Sequence, residues 1–219
     1  MENRAIQNAY KTKTIKENLL AKVIDDLIIY AENNGSLNDL ENKDIWRIAG
    51  VYRATYYRNF PHINDIYMEI KRNVTEEMEI NLAPYLNSEA EERISLLFYK
   101  FFIMLEIHSK ACKIAIYRDD ISFWRSVISV LKPFIKSSWK YCSEKSFNLF
   151  YEVYLAEMIH IIRSWCEKGF DSNLIRDCVD QAKFFLDQSR SLQNGSMCSY
   201  LEYRPLYSER TPNSQSPNG

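Results

Sequence analysis

The chain has 219 residues, 46% of them hydrophobic and 14% aromatic, and a formal net charge of −1. This length is enough for one compact body with a small annex, and the near-neutral charge excludes a binding surface that is basic over the whole chain. Glycines number only five and prolines six, so few residues interrupt a helical pattern. The sequence therefore predicts an all-α protein.

The five cysteines are odd in number and widely spaced, without a Cys-x-x-Cys pair. This pattern argues against a disulfide framework or a zinc site and favours a reducing compartment. The first residues lack a basic-then-apolar signal pattern, and no apolar run approaches the roughly 20 residues that span a bilayer. We therefore expect a cytoplasmic protein with no membrane partner, no metal and no cofactor.

Residues 1–13 carry Arg4, Lys11 and Lys13 and few apolar side chains, which predicts a loose basic arm. A helical apolar repeat follows from Thr14 to the Asn-Asn-Gly sequence at 33–35. A short helix should then run to about residue 49 with Asn42 as its cap, and a second should span about 53–59.

Residues 44–61 have the layout of a helix-turn-helix reader of DNA, in which Gly50 separates two short helices. A glycine can adopt the left-handed turn conformation without a steric penalty on Cβ. Four apolar side chains should then form a small core that fixes the second helix, namely Ile45, Ile48, Val51 and Tyr56.

Short polar, basic and aromatic side chains are left facing outward, and such groups suit base edges and phosphates. Residues 43–58 contain four basic side chains and one acidic side chain, so this segment is positive although the whole chain is not. The candidate DNA-binding residues are Lys43, Arg47, Arg53, Ala54, Thr55, Tyr57, Arg58 and His62.

A long helix should begin near residue 63, with Asp65 beside its positive N-terminal dipole, and end before Pro84. The next should begin near Ser88 and be central, because it is apolar nearly all round. Further helices are expected at about 110–117, at 121–139 with an irregularity near Pro133, and at 143–168 and 171–189. The composition from residue 191 to residue 219 predicts a disordered tail.

The last two helices carry apolar stripes and are joined at Gly169. A second copy of this hairpin would complete a four-helix bundle across a two-fold axis, which predicts a homodimer. The alternative is that both stripes pack on their own body. The candidate interface residues are Phe150, Tyr154, Ile161, Trp165, Val179, Phe185 and Leu186.

The second half of the chain is dense in aromatic residues, which either line a cavity for a small apolar or aromatic effector or fill a solid core. The sequence does not separate these alternatives. The candidate pocket residues are Phe98, Phe102, His108, Tyr117 and Trp124.

Catalytic patterns are weak. Glu157 and His160 have the spacing of a di-iron bundle ligand pair, but the second such pair is missing. The acidic pair Asp119-Asp120 favours a helix start. A phosphate loop and a nucleophile elbow are also missing, so we expect no enzyme.

The segment from about residue 14 to residue 70 resembles the TetR/AcrR family of bacterial regulators. Residues at the positions of the family signature are Ile45, Ala49-Gly50-Val51, Thr55-Tyr56-Tyr57, Phe60 and Asp65. The resemblance implies a DNA-binding domain over residues 1–62 and a helical dimerisation and effector-binding domain over residues 63–190. It also implies a homodimeric repressor that binds double-stranded DNA at a near-palindromic operator and is released by a small effector.

Four positions depart from the family pattern. Trp46 stands where the family has a small alanine, Tyr52 replaces a capping serine, Ala54 replaces a glycine, and Ile63 replaces a lysine that touches phosphate. These departures keep a second interpretation open, in which a coactivator with the same fold works through a protein partner.

Overall fold

The structure, a computed structural model, describes residues 2–86, 91–137, 139 and 143–194. Every regular element in these residues is helical, which confirms the predicted all-α class. Two of the elements are single 3₁₀ turns, at Ala83–Tyr85 and Ser172–Leu174. The α-helices are α1 (Glu2–Asn34), α2 (Asn42–Ile48), α3 (Arg53–Asn59), α4 (Ile63–Leu82), α5 (Glu91–Ile107), α6 (Ser109–Tyr117), α7 (Ile121–Ser129), α8 (Lys132–Ser137), α9 (Glu144–Glu167) and α10 (Ile175–Asn194).

Most boundaries follow the sequence prediction. The predicted irregularity near Pro133 appears as a break between α7 and α8, and the proline is the second residue of α8. A proline is tolerated there because the first backbone N–H groups of a helix have no intrahelical partner.

The two ends of the helical body differ from the prediction. The expected loose arm is wrong, because α1 begins at Glu2 and not near residue 14. Residues 2–13 contain no glycine or proline and are rich in good helix formers, which explains the extension. At the other end, α10 ends at Asn194 and not near residue 189. The rest of the predicted disordered tail, residues 195–219, lies outside the described residues.

Buried apolar side chains form one continuous cluster from Leu19 to Leu186. Helix α1 joins the N-terminal helices to the body, because it packs against both α2 and α6. The backbone N–H of Leu37 also donates a hydrogen bond of 3.1 Å to the carbonyl of Tyr117, at the end of α6. The N-terminal helices are therefore attached to the body through α1 as well as through α4.

Helix α5 lies in the centre of the body, as its apolar sequence predicts. It packs mainly against α10 and also against α4 and α6. Its fully buried side chains are Leu97, Phe98, Phe101, Phe102 and Leu105. In the described part of the chain, no helix is both long and apolar enough to cross a membrane.

Candidate nucleic-acid interface

The turn between α2 and α3 is built around Gly50, whose φ is +56°. This left-handed conformation is the one that the sequence predicts for the glycine. The turn is closed by backbone hydrogen bonds from Gly50 N–H to the Arg47 carbonyl, 3.2 Å, and from Val51 N–H to the Trp46 carbonyl, 3.1 Å.

A small core lies beneath the turn, as predicted. Ile45 and Tyr56 are fully buried, and Ile48 and Val51 are partly buried against them. Removing such side chains from water is worth about 1.5–3 kcal/mol each. This burial fixes the rotation of α3 about its own axis and so decides which of its side chains face outward.

A polar clamp joins α2, α3 and the segment that leads into α4. The Tyr56 hydroxyl donates a hydrogen bond of 2.6 Å to Asn42 Oδ1, and Asn42 Nδ2 donates one of 2.6 Å to the Pro61 carbonyl. Burial raises the pKa of the Tyr56 phenol, so the hydroxyl keeps its proton. Asn42 is the first residue of α2 and not its cap, which corrects the prediction; the N-cap is Glu41.

The eight candidate DNA-binding residues lie on or beside α2 and α3. Six of them are exposed: Lys43, Arg47, Arg53, Ala54, Arg58 and His62. Thr55 and Tyr57 are partly buried. The Tyr57 ring packs edge-on against Tyr56, with 5.4 Å between the centroids, so only part of it faces solvent.

Aromatic rings support two of the arginines. The Arg53 guanidinium lies 5.6 Å from the centre of the Tyr57 ring, and the Arg47 guanidinium lies 5.3 Å from that of Trp46. Within the described residues, Arg47, Arg53 and Arg58 form no ion pair. These three positive charges are therefore available to an anionic partner.

Lys43 differs from these arginines. Its ammonium lies 2.5 Å from a carboxylate oxygen of Glu41, and this partner raises the pKa of Lys43. A phosphate at this position would have to compete with Glu41 for the lysine.

Tyr52 is the N-cap of α3, but its side chain makes no capping hydrogen bond and is 87% exposed. From the sequence alone, Tyr52 was only a replacement for the capping serine of the family. Its place in the structure shows an exposed aromatic ring at the start of the candidate recognition helix. The only sequence signal for this exposure is that Tyr52 lies outside the apolar spacing of the residues that form the core beneath the turn.

A salt-bridge cluster ties α1 to α4 beside α3. Lys16 on α1 lies 3.1 Å from a Glu69 oxygen, and Arg72 donates to Glu69 at 2.7 Å. Burial acts to raise the pKa of Glu69, but the hydrogen bonds from the two cations outweigh it and lower the pKa. The cluster restrains the direction of α4 relative to α1.

The predicted effector-pocket residues do not surround a cavity. Phe98, Phe102 and Trp124 are fully buried in ring contacts, with Phe134, Trp165 and Phe123 respectively. His108 and Tyr117 are only partly buried. The well-formed cavities in the described part of the chain lie along α4 and between α9 and α10. The filled-core alternative therefore holds for Phe98, Phe102 and Trp124, because their rings pack against neighbouring rings.

The predicted interface residues also belong to the core. Tyr154, Ile161, Trp165, Val179 and Leu186 are buried within the single chain, and Phe150 and Phe185 are partly buried against it. For the five buried residues this corrects the assignment, because the stripes on α9 and α10 face each other and the body formed by α5, α6 and α7.

The hairpin itself is present. Gly169 has φ +76°, and its N–H donates a 2.9 Å hydrogen bond to the Cys166 carbonyl at the end of α9. Among the residues of α9 and α10 whose burial the structure describes, three large apolar side chains remain more than half exposed on the outer sides. They are Leu149, Val153 and Phe184.

Asp119 and Asp120, which were considered for catalysis above, make structural contacts. Asp120 accepts a hydrogen bond of 3.0 Å from Phe123 N–H and so caps α7, as predicted, and Asp119 pairs with Arg163. Glu157 is partly buried and His160 is exposed, both on α9. Among the described residues, no group of three or more His, Cys, Asp and Glu is placed to hold a metal.

Comparisons of the chain with models of known families, with curated proteins and with solved structures found no match.

Proposed function

We propose that this chain is a DNA-binding transcriptional regulator that resembles the TetR/AcrR family and acts as a homodimeric repressor. One observation carries the proposal: α3 is docked by a left-handed glycine turn and a polar clamp, and its outer side presents exposed arginines. A short helix fixed on one side and basic on the other is suited to the major groove of double-stranded DNA.

The roles follow from side-chain length and charge. Ala54 and Thr55 are short enough to let α3 approach the base edges, and Arg53 can donate two hydrogen bonds to a guanine. Arg47, Arg58 and His62 lie around the helix and can contact phosphates. Lys43 can do so as well once its ion pair with Glu41 is broken. These phosphate contacts supply affinity, whereas Arg53 supplies sequence preference.

A dimer would use the outer sides of α9 and α10. Leu149, Val153 and Phe184 offer apolar surface there, and a two-fold axis through this face would complete a four-helix bundle. Two copies of α3 then meet successive major grooves, so the operator is a near-palindrome.

The test is a titration of DNA from the chain's own promoter region at low salt, followed by electrophoresis. Replacing Arg53 by Ala is expected to cost about 1–3 kcal/mol on the specific site and to relax sequence preference. Lys43→Ala is expected to weaken specific and non-specific DNA similarly and to flatten the salt dependence. Arg176→Ala, at an exposed position on α10, is the matched control and should leave binding unchanged.

A second candidate function is a coactivator that binds a protein partner. Two features favour this function. The Tyr52 ring is 87% exposed, and Ile63 stands where the TetR/AcrR family has a lysine that touches phosphate. If no DNA is bound at low salt, or if Arg53→Ala and Tyr57→Ala leave promoter binding unchanged, the coactivator function is the correct one.

A further inference from the structure

A polar cavity of about 380 Å³ lies between α4 and the connection from α6 to α7. This volume is within the range of small-molecule sites, which run from about 300 to 1,000 Å³. The cavity is separate from the aromatic core that the sequence suggested for an effector. Its lining residues are Asn64, Tyr67, Met68, Lys71, Arg118, Asp119, Asp120, Ile121 and Ser122.

Two buried polar atoms at this cavity are left without a hydrogen-bond partner among the described residues, the Tyr67 hydroxyl and Arg118 Nε. Tyr67 is only 6% exposed, so water does not reach its hydroxyl freely. The Arg118 guanidinium lies over the Tyr67 ring, 3.5 Å from its centre. Burying such groups unpaired is unfavourable, and a ligand that accepts their hydrogen bonds would recover the lost free energy.

The Tyr67 hydroxyl is a hydrogen-bond donor at neutral pH. Burial raises the pKa of the Tyr67 phenol, and the adjacent Arg118 offsets this only in part. The hydroxyl therefore keeps its proton and can donate to an anion.

The cavity is lined by two cations, Lys71 and Arg118, and by two carboxylates, Asp119 and Asp120. Lys71 makes one long contact, 3.4 Å to the Ser122 hydroxyl, and neither Lys71 nor Arg118 forms an ion pair within the described part of the chain. The Asp119 carboxylate pairs with Arg163, which lies outside the lining. One Asp120 oxygen accepts from the Ser122 hydroxyl at 2.6 Å and from the N-terminus of α7. The groups at the cavity that can donate to a ligand are thus an ammonium, a guanidinium and a phenol.

We propose that this cavity binds a small organic oxyanion, a carboxylate or a phosphate ester, through Lys71, Arg118 and Tyr67. Charge-assisted hydrogen bonds from two cations are the strong interactions that such a ligand needs. The apolar part of the ligand lies against Met68 and Ile121 at the edge of the cavity.

The position of the site gives it a regulatory consequence that rests on the proposed function. Lys71 and Asn64 belong to α4, which follows directly on α3, whereas Arg118 belongs to the body. An oxyanion that is bound by Lys71 and by Arg118 restrains α4 against the body. It therefore fixes the direction in which α3 faces the DNA. It changes DNA affinity to the extent that it binds one direction of α4 better than another.

The experiment is isothermal titration calorimetry of the full chain without DNA, using inorganic phosphate, glycerol 3-phosphate and citrate. Chloride at equal ionic strength is the blank. The wild-type chain is expected to bind a phosphate probe or citrate, and the three probes distinguish the two kinds of oxyanion. Lys71→Gln should weaken binding roughly tenfold or more, because it removes a charge-assisted hydrogen bond. Lys100→Gln, at an exposed position on α5, should not.

Tyr67→Phe separates binding from folding. The variant loses only the buried hydroxyl, so its thermal stability without ligand should equal or exceed that of the wild type while its oxyanion affinity falls. The proposal is overturned if none of the probes binds, if Lys100→Gln weakens binding as much as Lys71→Gln, or if Tyr67→Phe binds as the wild type does.

A separate titration of promoter DNA, with and without the bound probe, tests the regulatory consequence. Failure to bind DNA would overturn the proposed function while oxyanion binding still supports the site. An unchanged DNA affinity with the probe bound would overturn the regulatory consequence alone.

Discussion

The Tyr56 hydroxyl on α3 donates a 2.6 Å hydrogen bond to Asn42 Oδ1 at the start of α2. The same Asn42 side chain reaches the Pro61 carbonyl beyond the end of α3. One side chain thus holds both the middle of the candidate recognition helix and the segment just beyond its end. This explains how a helix of seven residues keeps a fixed position, although helices so short are unstable alone.

Removing this hydrogen bond should lower both stability and specific DNA binding. Tyr56→Phe keeps the buried ring and deletes the hydroxyl, so the free energy of unfolding is expected to fall by about 0.5–1.5 kcal/mol. Urea unfolding followed by circular dichroism measures this loss. Tyr52→Phe is the matched control and should have no effect, because the Tyr52 ring is exposed. Equal stability of the wild type and Tyr56→Phe would show that the clamp contributes nothing.

Gly50 should tolerate asparagine better than alanine. Its φ of +56° is unfavourable for most residues with a Cβ, while a Cβ built at this position meets no atom within 4 Å. The cost is therefore one of backbone conformation, about 1–2 kcal/mol for Gly50→Ala and less for Gly50→Asn, whose side chain suits the left-handed region. Thermal unfolding of the two variants measures the difference, and equal losses would contradict this explanation.

The oligomeric state should respond to a charge on the outer side of α9 and not to one in the core. Val153→Glu changes a side chain that is 56% exposed, so the variant should fold normally and sediment as a monomer where the wild type is a dimer. Tyr154→Glu changes the adjacent buried residue and should unfold the chain, because an unpaired charge would be buried. Analytical ultracentrifugation with circular dichroism separates these outcomes. A wild-type monomer at micromolar concentration would contradict the dimer.

Acidification should destabilise the protein through His108. Burial lowers the pKa of this histidine, and the Glu77 carboxylate, 3.4 Å from Nε2, only partly opposes that effect. The unfolded chain therefore binds a proton more readily, so stability falls as the pH drops below the ordinary histidine pKa of about 6.5.

His108→Gln should remove this part of the pH dependence. The measurement is urea unfolding of the wild type and the variant at about pH 7.5, 6.5 and 5.5. The difference between their free energies of unfolding should shift in favour of the variant as the pH falls. A shift in favour of the wild type would show that the Glu77 pairing dominates.

Local sequence alone determined the helical class, the bounds of α3 and the left-handed conformation of Gly50. These features depend on residues close together in the chain: apolar spacing, a glycine where a Cβ is costly, and a proline that breaks a helix. The same local logic predicted the docked α3 and the exposed positions of Arg47, Arg53 and Arg58.

Which side of a helix faces the body was decided only by the tertiary structure. The apolar stripe that carries Tyr154 was compatible in sequence with the chain's own body or with a second copy, and only the packing of α9 against α6, α7 and α10 shows that it is buried within the chain. The aromatic residues from Phe98 to Trp124 are equally compatible in sequence with a hollow or a filled core, because periodicity does not measure volume. The cavity of Tyr67, Lys71 and Arg118 is likewise a product of the fold: its groups come from α4 and the α6–α7 connection, which are distant in the chain and meet only when those helices pack.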